Sequence, residues 1–342
     1  MEGIDPEAVG AWITSHVPGT APPYRFELIP GGRSNLTFAV EDGNGRRLAL
    51  RRPPVSHVLP TAHDMGREHR IISALASTPV PVAPALGYCE DAGVNGSPFY
   101  VMGFVDGHVV RDGAAARLLG DGARRHAGEA LVDVLADLHA VDPDAVGLGD
   151  LGRREGYIAR QLRRWHGQYS QSTADGLATV PAIDTVHDEL AARMPGQGPA
   201  TIVHGDYRLD NTILGDDGEV RAVIDWEICT LGDPLADVGL LLVYWTEPGE
   251  ESPLADAPTT VEGFATRAEL VARYGVRTGR AVGDLSYYVA FGYWKLACIL
   301  QGVVARFLSG AAGGDRTGMD DIQGKIAWLA ARAEATLSVE PG

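Results

Sequence analysis

Asp206 and Asn211 stand five residues apart in the run His204-Gly205-Asp206-Tyr207-Arg208-Leu209-Asp210-Asn211, and Asp225 follows fourteen residues later in Ile224-Asp225-Trp226. Three oxygen-bearing side chains in that order suit chemistry on a metal-bound nucleotide. One carboxylate would orient or deprotonate a hydroxyl, while a second carboxylate and an amide would hold magnesium. Phosphoryl transfer leaves little covalent work to a protein, which has to hold a hydroxyl in line with the terminal phosphate and offset the charge around it. Mg2+ prefers carboxylate, amide, water and phosphate oxygens, which Asp225 and Asn211 can supply. Either short motif alone reads equally well as a loop or a strand end, and it is their joint spacing that points to catalysis.

Elements must carry these residues to one place. Thr212 to Leu214 predicts a short strand, Gly215-Asp216-Asp217-Gly218 a turn and Val220 to Ile224 a second strand, a hairpin that would bring Asn211 and Asp225 to the same end. Upstream, strands over Phe26 to Ile29 and Leu36 to Val40 flank Pro30-Gly31-Gly32-Arg33-Ser34-Asn35. Glycine permits close backbone approach there, so Gly31, Gly32, Ser34 and Asn35 are candidates to cover phosphate oxygens, although the run is also an ordinary hairpin turn. Asn44-Gly45 signals a tight hairpin into a third strand, Arg47 to Arg51, which Pro53-Pro54 stops. A helical pattern opening at Gly66 places Glu68 near its start and turns Ile71, Ile72 and Leu75 toward a core. Arg51 on a strand and Glu68 on a helix are a candidate pair for orienting nucleotide phosphates; taken singly, each reads as a solvated charge. The strand from Pro98 to Phe104 runs into Val105-Asp106-Gly107 and reads as a hinge. Met102 and Phe104 are candidates there to sandwich a purine ring, Met102 being equally a core filler.

Beyond Gly107 the pattern turns helical, with Leu131, Val134, Leu135 and Leu138 on one face. The basic, aromatic stretch from Arg153 to Ser170 carries Arg160, Arg163, Arg164, Trp165 and Tyr169. It reads as a substrate-facing helix or as a solvated basic face with Trp165 turned inward. Leu231 to Asp237 predicts a turn opening an apolar helix to Tyr244, with Asp233 and Asp237 anchoring that turn through amide hydrogen bonds. The expected division is a nucleotide-binding lobe over residues 1–104 and a catalytic, substrate-binding lobe over residues 105–342.

A chain of 342 residues exceeds a single small core, which supports two lobes. A net charge of -16 and a pI near 5.0 argue against a nucleic-acid partner. Three widely spaced cysteines, Cys89, Cys229 and Cys298, suggest neither a zinc site nor a disulfide framework and fit a cytoplasmic setting. Met1 to Gly10 lacks the basic start and apolar core of a signal peptide. The most apolar late stretch, Tyr287 to Leu308, contains Lys295, Gln301 and Arg306 and reads as a buried helix, so no membrane role is expected.

These residues together resemble the aminoglycoside phosphotransferase-like superfamily. The resemblance spans most of the chain and is carried by Gly31 to Asn35, Leu48-Ala49-Leu50-Arg51, Glu68, Val101 to Phe104, Leu138 to Asp142, His204-Gly205-Asp206 with Asn211, and Ile224 to Glu227. Gly31 to Asn35, Leu50 to Pro54 and Thr230 to Gly239 look like the branch of kinase domains attached to some acyl-CoA dehydrogenases. The resemblance implies an α+β, bilobal protein-kinase-like fold, with an N-terminal antiparallel sheet lobe and a larger, mainly helical C-terminal lobe. It implies a phosphotransferase that moves the terminal phosphate of ATP or GTP to a hydroxyl of a small molecule. Asp206 would be the catalytic aspartate, Arg208 would contact phosphate or substrate, Asn211 and Asp225 would hold Mg2+, and His204 would be structural. Arg51, or else Arg52, stands where the family's third-strand lysine is expected, and a planar fork grips phosphate differently from a point charge. The glycine loop at Gly31 to Asn35 lacks the GxGxxG form of protein kinases and no APE sequence follows Asp225, which implies a small-molecule acceptor instead of a protein. An aminoglycoside would call for an acidic pocket; a hydroxyacyl or hydroxy-acid substrate would call for basic residues, and the Arg153 to Arg164 cluster leans that way. The rival reading is a non-catalytic nucleotide-binding module, with Arg51 as the one feature in its favour.

Overall fold

The computed structural model describes residues 3–30, 35–55, 64–174, 177–253, 255–280, 282–308 and 319–338. Chain contacts divide it into two units, Met1–Gly107 with Arg221–Glu227, and His108–Val220 with Ile228–Gly342. The first unit thus runs three residues past the expected division at 104 and takes in a later segment that contains Asp225.

In the first unit, helix α1 (Pro6–His16) starts at Asp5, whose carboxylate accepts the amides of Glu7 and Ala8, with proline in the first turn. Strands β1 (Arg25–Leu28), β2 (Leu36–Glu41) and β3 (Arg47–Arg52) follow, then α2 (Met65–Leu75), β4 (Ala85–Cys89), the short α3 (Ala92–Asn95) and β5 (Phe99–Gly103). The five strands form one antiparallel sheet in the order β1-β2-β3-β5-β4. Register pairs Phe38 with Leu50 and Leu50 with Val101, and these three join Val9 and Ile13 of α1 in one buried core. Successive strand residues face opposite sides. Arg51, paired with Tyr100, therefore stands on the face opposite Leu50. The segment through Ala85 becomes a strand by pairing with β5, through a register irregularity between Ala85 and Gly87.

The second unit contains α4 (Gly113–Leu118), α5 (Asp121–Ala140), α6 (Tyr157–Ala174), α7 (Pro181–Ala192) and the strand β6 (Thr201–Val203). The predicted hairpin forms from β7 (Thr212–Leu214) and β8 (Val220–Val223), turning at Gly215 to Gly218, where Gly218 has φ +87; from Arg221 on, β8 is counted with the first unit. Leu231 and Gly232, expected to open a turn, belong to a strand, β9 (Thr230–Gly232), pairing Thr201 with Gly232 in antiparallel register against β6. Three residues carry too little pattern to reveal this; long-range pairing makes the strand. Helices α8 (Pro234–Tyr244), α9 (Arg267–Thr278), α10 (Ser286–Leu308) and α11 (Met319–Ser338) complete the unit. The first helical core is close-fitting: a Cβ on Gly239 of α8 would lie 2.4 Å from the Tyr288 carbonyl oxygen of α10. By length and composition α10 passes the test for a membrane span, yet 72% of that window is buried inside the protein, as the sequence reading of a core helix requires.

Candidate active site

In the first unit, β3 and α2 bring Arg51 and Glu68 together, with Arg51 Nε 2.9 Å from Glu68 Oε2. Arg51 Nη2 also donates to Asp225 Oδ1 at 2.5 Å. Arg52, on the opposite face, bonds backbone carbonyls of Gly3, Pro53 and Asn95, so Arg51 is the cation that meets the helix glutamate. Burial disfavours the Arg51 charge, but Glu68 and Asp225 outweigh it and hold the guanidinium above its ordinary pKa. Burial lifts the Glu68 carboxyl, and Arg51 counters that. Tyr100 Oη donates to Glu68 at 3.1 Å and Asn35 Nδ2 at 3.2 Å, so three donors favour the ionised glutamate. Asn35 reaches Glu227 as well, at 3.3 Å. Asp225 has φ +66, a left-handed backbone that Asp tolerates better than most residues and that is concentrated at functional positions.

The remaining first-unit candidates divide. The Met102 backbone sits in the ladder opposite Ala49 and Ala85. Phe104 lies beneath the Arg47 guanidinium, 3.6 Å from its ring centroid, and its amide reaches the Arg47 carbonyl at 3.4 Å. Gly31, Gly32 and Ser34 lie outside the described residues.

In the second unit, β6 delivers the chain into His204-Gly205-Asp206. Gly205 has φ +87, and a Cβ there would meet Ile228 at 3.0 Å. A 3-10 turn over Leu209–Asn211 folds residue 211 back on 206. Asn211 Nδ2 then donates to the Asp206 carbonyl at 2.8 Å and to Asp206 Oδ2 at 2.9 Å. Arg208 Nε lies 2.8 Å from Asp210 Oδ1 and 3.4 Å from Asp206 Oδ2, and its guanidinium sits 4.5 Å from the Tyr244 ring centroid. Burial raises the Asp210 carboxyl. Burial, and after it the Asp206 carboxylate, raises the Tyr244 phenol. His204 is fully buried, and its Nδ1 accepts the Asp206 amide at 3.3 Å, a structural role within the loop.

Asp233 anchors its own turn, accepting the Leu235 amide at 3.1 Å, but Asp237 does not. Asp237 reaches back to accept the amides of His204 at 2.7 Å and Gly205 at 2.9 Å, with His139 Nε2 at 3.4 Å. Burial opposes its ionisation, yet His139, His204 and the Gly205 amide prevail and hold its carboxyl below the ordinary value. Sequence reasoning missed this support, along with His139, Tyr244 and Lys295, whose Nζ donates to the Gly205 carbonyl at 2.6 Å. An aspartate 32 residues downstream of Gly205 and a lysine 90 residues downstream leave no local spacing signal.

Beside Arg208 the same unit opens a pocket lined by Arg111, Asp210, Tyr244, Trp245 and Thr259, among others. The basic cluster on and before α6 is largely engaged with its own surroundings. Arg154 pairs with Asp144 at 2.6 Å, Arg160 bonds the Arg153 and Glu155 carbonyls, and Trp165 is buried. The bland reading of that helix fits these contacts, and Arg111 and Arg208 are the basic residues that line the pocket described above.

Among the described residues no group of three His, Cys, Asp or Glu side chains is placed to hold a metal by itself. The Asn211 amide nitrogen faces Asp206, which leaves its oxygen as the atom to offer a cation.

A model of the phosphotransferase enzyme family matches residues 25–270. Acyl-CoA dehydrogenase family member 10 of Mus musculus is 37% identical over 287 residues, covering 82% of this chain and 26% of that protein. The chain spans between about a quarter and two fifths of the length of the curated relatives it matches. A solved structure from Ralstonia eutropha JMP134, provisionally assigned as an aminoglycoside phosphotransferase, is 34% identical, with a TM-score of 0.80 over 98% of both chains. An aminoglycoside phosphotransferase bound to ADP and hygromycin B shares the fold at 16% identity and a TM-score of 0.61, covering 97% of this chain and 98% of that one. With a kinase-like α+β fold and a family match over most of its length, the chain belongs to the phosphotransferase enzyme family, as a small-molecule phosphotransferase acting on hydroxyl groups.

Proposed function

We propose that this chain moves the terminal phosphate of ATP or GTP onto the hydroxyl of a small anionic acceptor, a hydroxyacyl or hydroxy-acid thioester being the favoured class. The pocket carries the acceptor half of that reading: Arg111, Arg208 and Tyr244 line it, and Arg208 Nε lies 3.4 Å from Asp206 Oδ2. Two guanidinium forks outnumber the one carboxylate, Asp210, and match a carboxylate or phosphate on the acceptor. The similarity to proteins named for acyl-CoA dehydrogenases supports an acyl thioester, and the ADP held by an aminoglycoside phosphotransferase of this fold supports the nucleotide.

In this mechanism Asp206 accepts the proton of the acceptor hydroxyl as its oxygen bonds to the terminal phosphorus and the bond to the bridging oxygen breaks, releasing nucleoside diphosphate. Asn211 holds the Asp206 carboxylate in place. Arg51, steadied by Glu68, donates to nucleotide phosphates. Magnesium, when bound, would neutralise charge on the phosphates, and the Asp225 carboxylate and Asn211 amide oxygen are the groups offered to it.

The test is phosphate gain, read by mass spectrometry, on a panel of hydroxyacyl thioesters with magnesium-ATP or magnesium-GTP. Asp206→Ala is expected to lower kcat by about 100-fold or more. Unchanged turnover in that variant would remove Asp206 from the base role. The names of the similar structures favour an aminoglycoside acceptor as a second reading, and phosphorylation of aminoglycosides but no thioester would establish it in place of the first. Nucleotide binding without turnover on any acceptor would support the non-catalytic module.

A further inference from the structure

Helix α10 is apolar through most of its length, yet Lys295 sits in its middle, 3% exposed. An ammonium removed from water needs compensating partners. Its Nζ donates to the Gly205 carbonyl at 2.6 Å and lies 5.7 Å from the Trp165 ring centroid. The charged groups that face it are Asp206 and Asp237, which favour its charge, and Arg164, which opposes it; burial prevails and moves it below its ordinary pKa. Lys295 lies beyond the residues 25–270 that the family model matches.

Gly205 is the weak point of the loop it serves. A glycine at positive φ has the widest backbone freedom of any residue, so its conformation has to be imposed from outside. Asp237 takes its N–H and Lys295 takes its C=O, from α8 and α10 respectively. The Gly205 carbonyl shares one rigid peptide plane with the Asp206 amide. Fixing that oxygen therefore fixes the amide that donates to His204 Nδ1 and, through it, the direction in which the Asp206 side chain leaves the backbone.

We propose that Lys295 is a positioning residue for phosphoryl transfer: it clamps the Gly205–Asp206 peptide by its carbonyl, while Asp237 holds the preceding peptide by the Gly205 N–H, and so aims the Asp206 carboxylate. This inference rests on Asp206 being the catalytic base. The bond that Lys295 makes is to the loop backbone, so its effect is expected on kcat.

The experiment compares wild type, Asp206→Ala, Lys295→Met and Lys295→Gln in the full chain, following ADP release from magnesium-ATP with a hydroxyacyl thioester, and with water where no thioester is turned over. Lys295→Met keeps the volume and loses the donor. It is expected to lower kcat by about 10- to 100-fold, the size of effect that a misplaced catalytic group produces, with the nucleotide KM within about twofold. Lys295→Gln, one atom short of the carbonyl, should behave alike and carries the test if Lys295→Met does not fold. Unchanged kcat in the Lys295 variants, with Asp206→Ala inactive, overturns the clamp and leaves the base assignment standing. A fall in kcat accompanied by an equal loss of nucleotide affinity also overturns it, because the lysine would then be supporting the unit at large. Wild type without turnover, or Asp206→Ala as fast as wild type, overturns the base assignment and the clamp with it.

Discussion

A carboxylate as buried as Asp237 has to be satisfied by hydrogen bonds, and its two oxygens serve the amides of His204 and Gly205. Asn at this position offers one acceptor oxygen in place of two. Asp237→Asn should leave one amide unsatisfied and cost about 1–3 kcal/mol of stability. Its carboxyl titrates below the ordinary 3.8 in the folded chain, so its contribution is complete above that value and is lost as pH falls through the lowered folded value. Urea unfolding measured between neutral pH and about pH 3 should show wild type losing stability more steeply than Asp237→Asn at the acid end; parallel curves would remove Asp237 from the acid response. Arg51 makes the complementary case. Its fork spans Glu68 and Asp225, two acceptors that a point charge on lysine would have to choose between.

Helix α8 packs so closely on α10 that only glycine fits at 239, where an added Cβ would overlap the Tyr288 backbone. These two helices supply Asp237 and Lys295, the two sides of the Gly205 grip. Gly239→Ala should therefore destabilise the chain by about 1–3 kcal/mol through overpacking and lower kcat as well, measured by chemical denaturation and steady-state rates; a variant as stable as wild type would show that the helices can separate without cost. Elements of this kind differ in how well the sequence announces them. The Asn44-Gly45 hairpin, the Asp233-Pro234 helix start and the β7–β8 turn were readable because each depends on the φ preference of one or two residues. The closeness of Asp206 and Asn211 was readable from their spacing, whereas which of Arg51 and Arg52 meets Glu68 emerged only when the strand register placed one on each face. Strand β9, the Asp237 amide bonds and the Lys295 carbonyl bond escaped, because each is decided by a partner dozens of residues away. In the Arg153 to Arg164 cluster the sequence could not show that Arg154 and Arg160 are taken up by Asp144 and by backbone carbonyls, because charge density says nothing about which charges are already engaged.

Taken whole, the molecule carries a net charge of -16, and self-repulsion at that level opposes the compact state. Ladders of ion pairs between α5 and α9, such as Arg273 with Asp133 and Arg277 with Asp137, both at 2.7 Å, pull the other way. Exposed pairs of this sort contribute about 0–1 kcal/mol each, so the net charge should decide the response to salt. Raising NaCl from about 0.01 M to about 0.1 M shortens the screening length from about 30 Å to about 10 Å. The melting midpoint is expected to rise by about 2–4 °C, and a fall in calorimetry would show that the ion pairs outweigh the repulsion. The division of the chain into units has a consequence in time. The first unit is assembled from Met1–Gly107 and Arg221–Glu227, with His108–Val220 intervening. At roughly 5–20 residues per second on the ribosome, the intervening stretch of 113 residues takes about 6–23 s to synthesise. During that interval the nascent sheet can pair Arg51 with Glu68 but has no Asp225, and the unit begun first receives its aspartate only after helices α4 to α7 and strands β6 and β7 have been made.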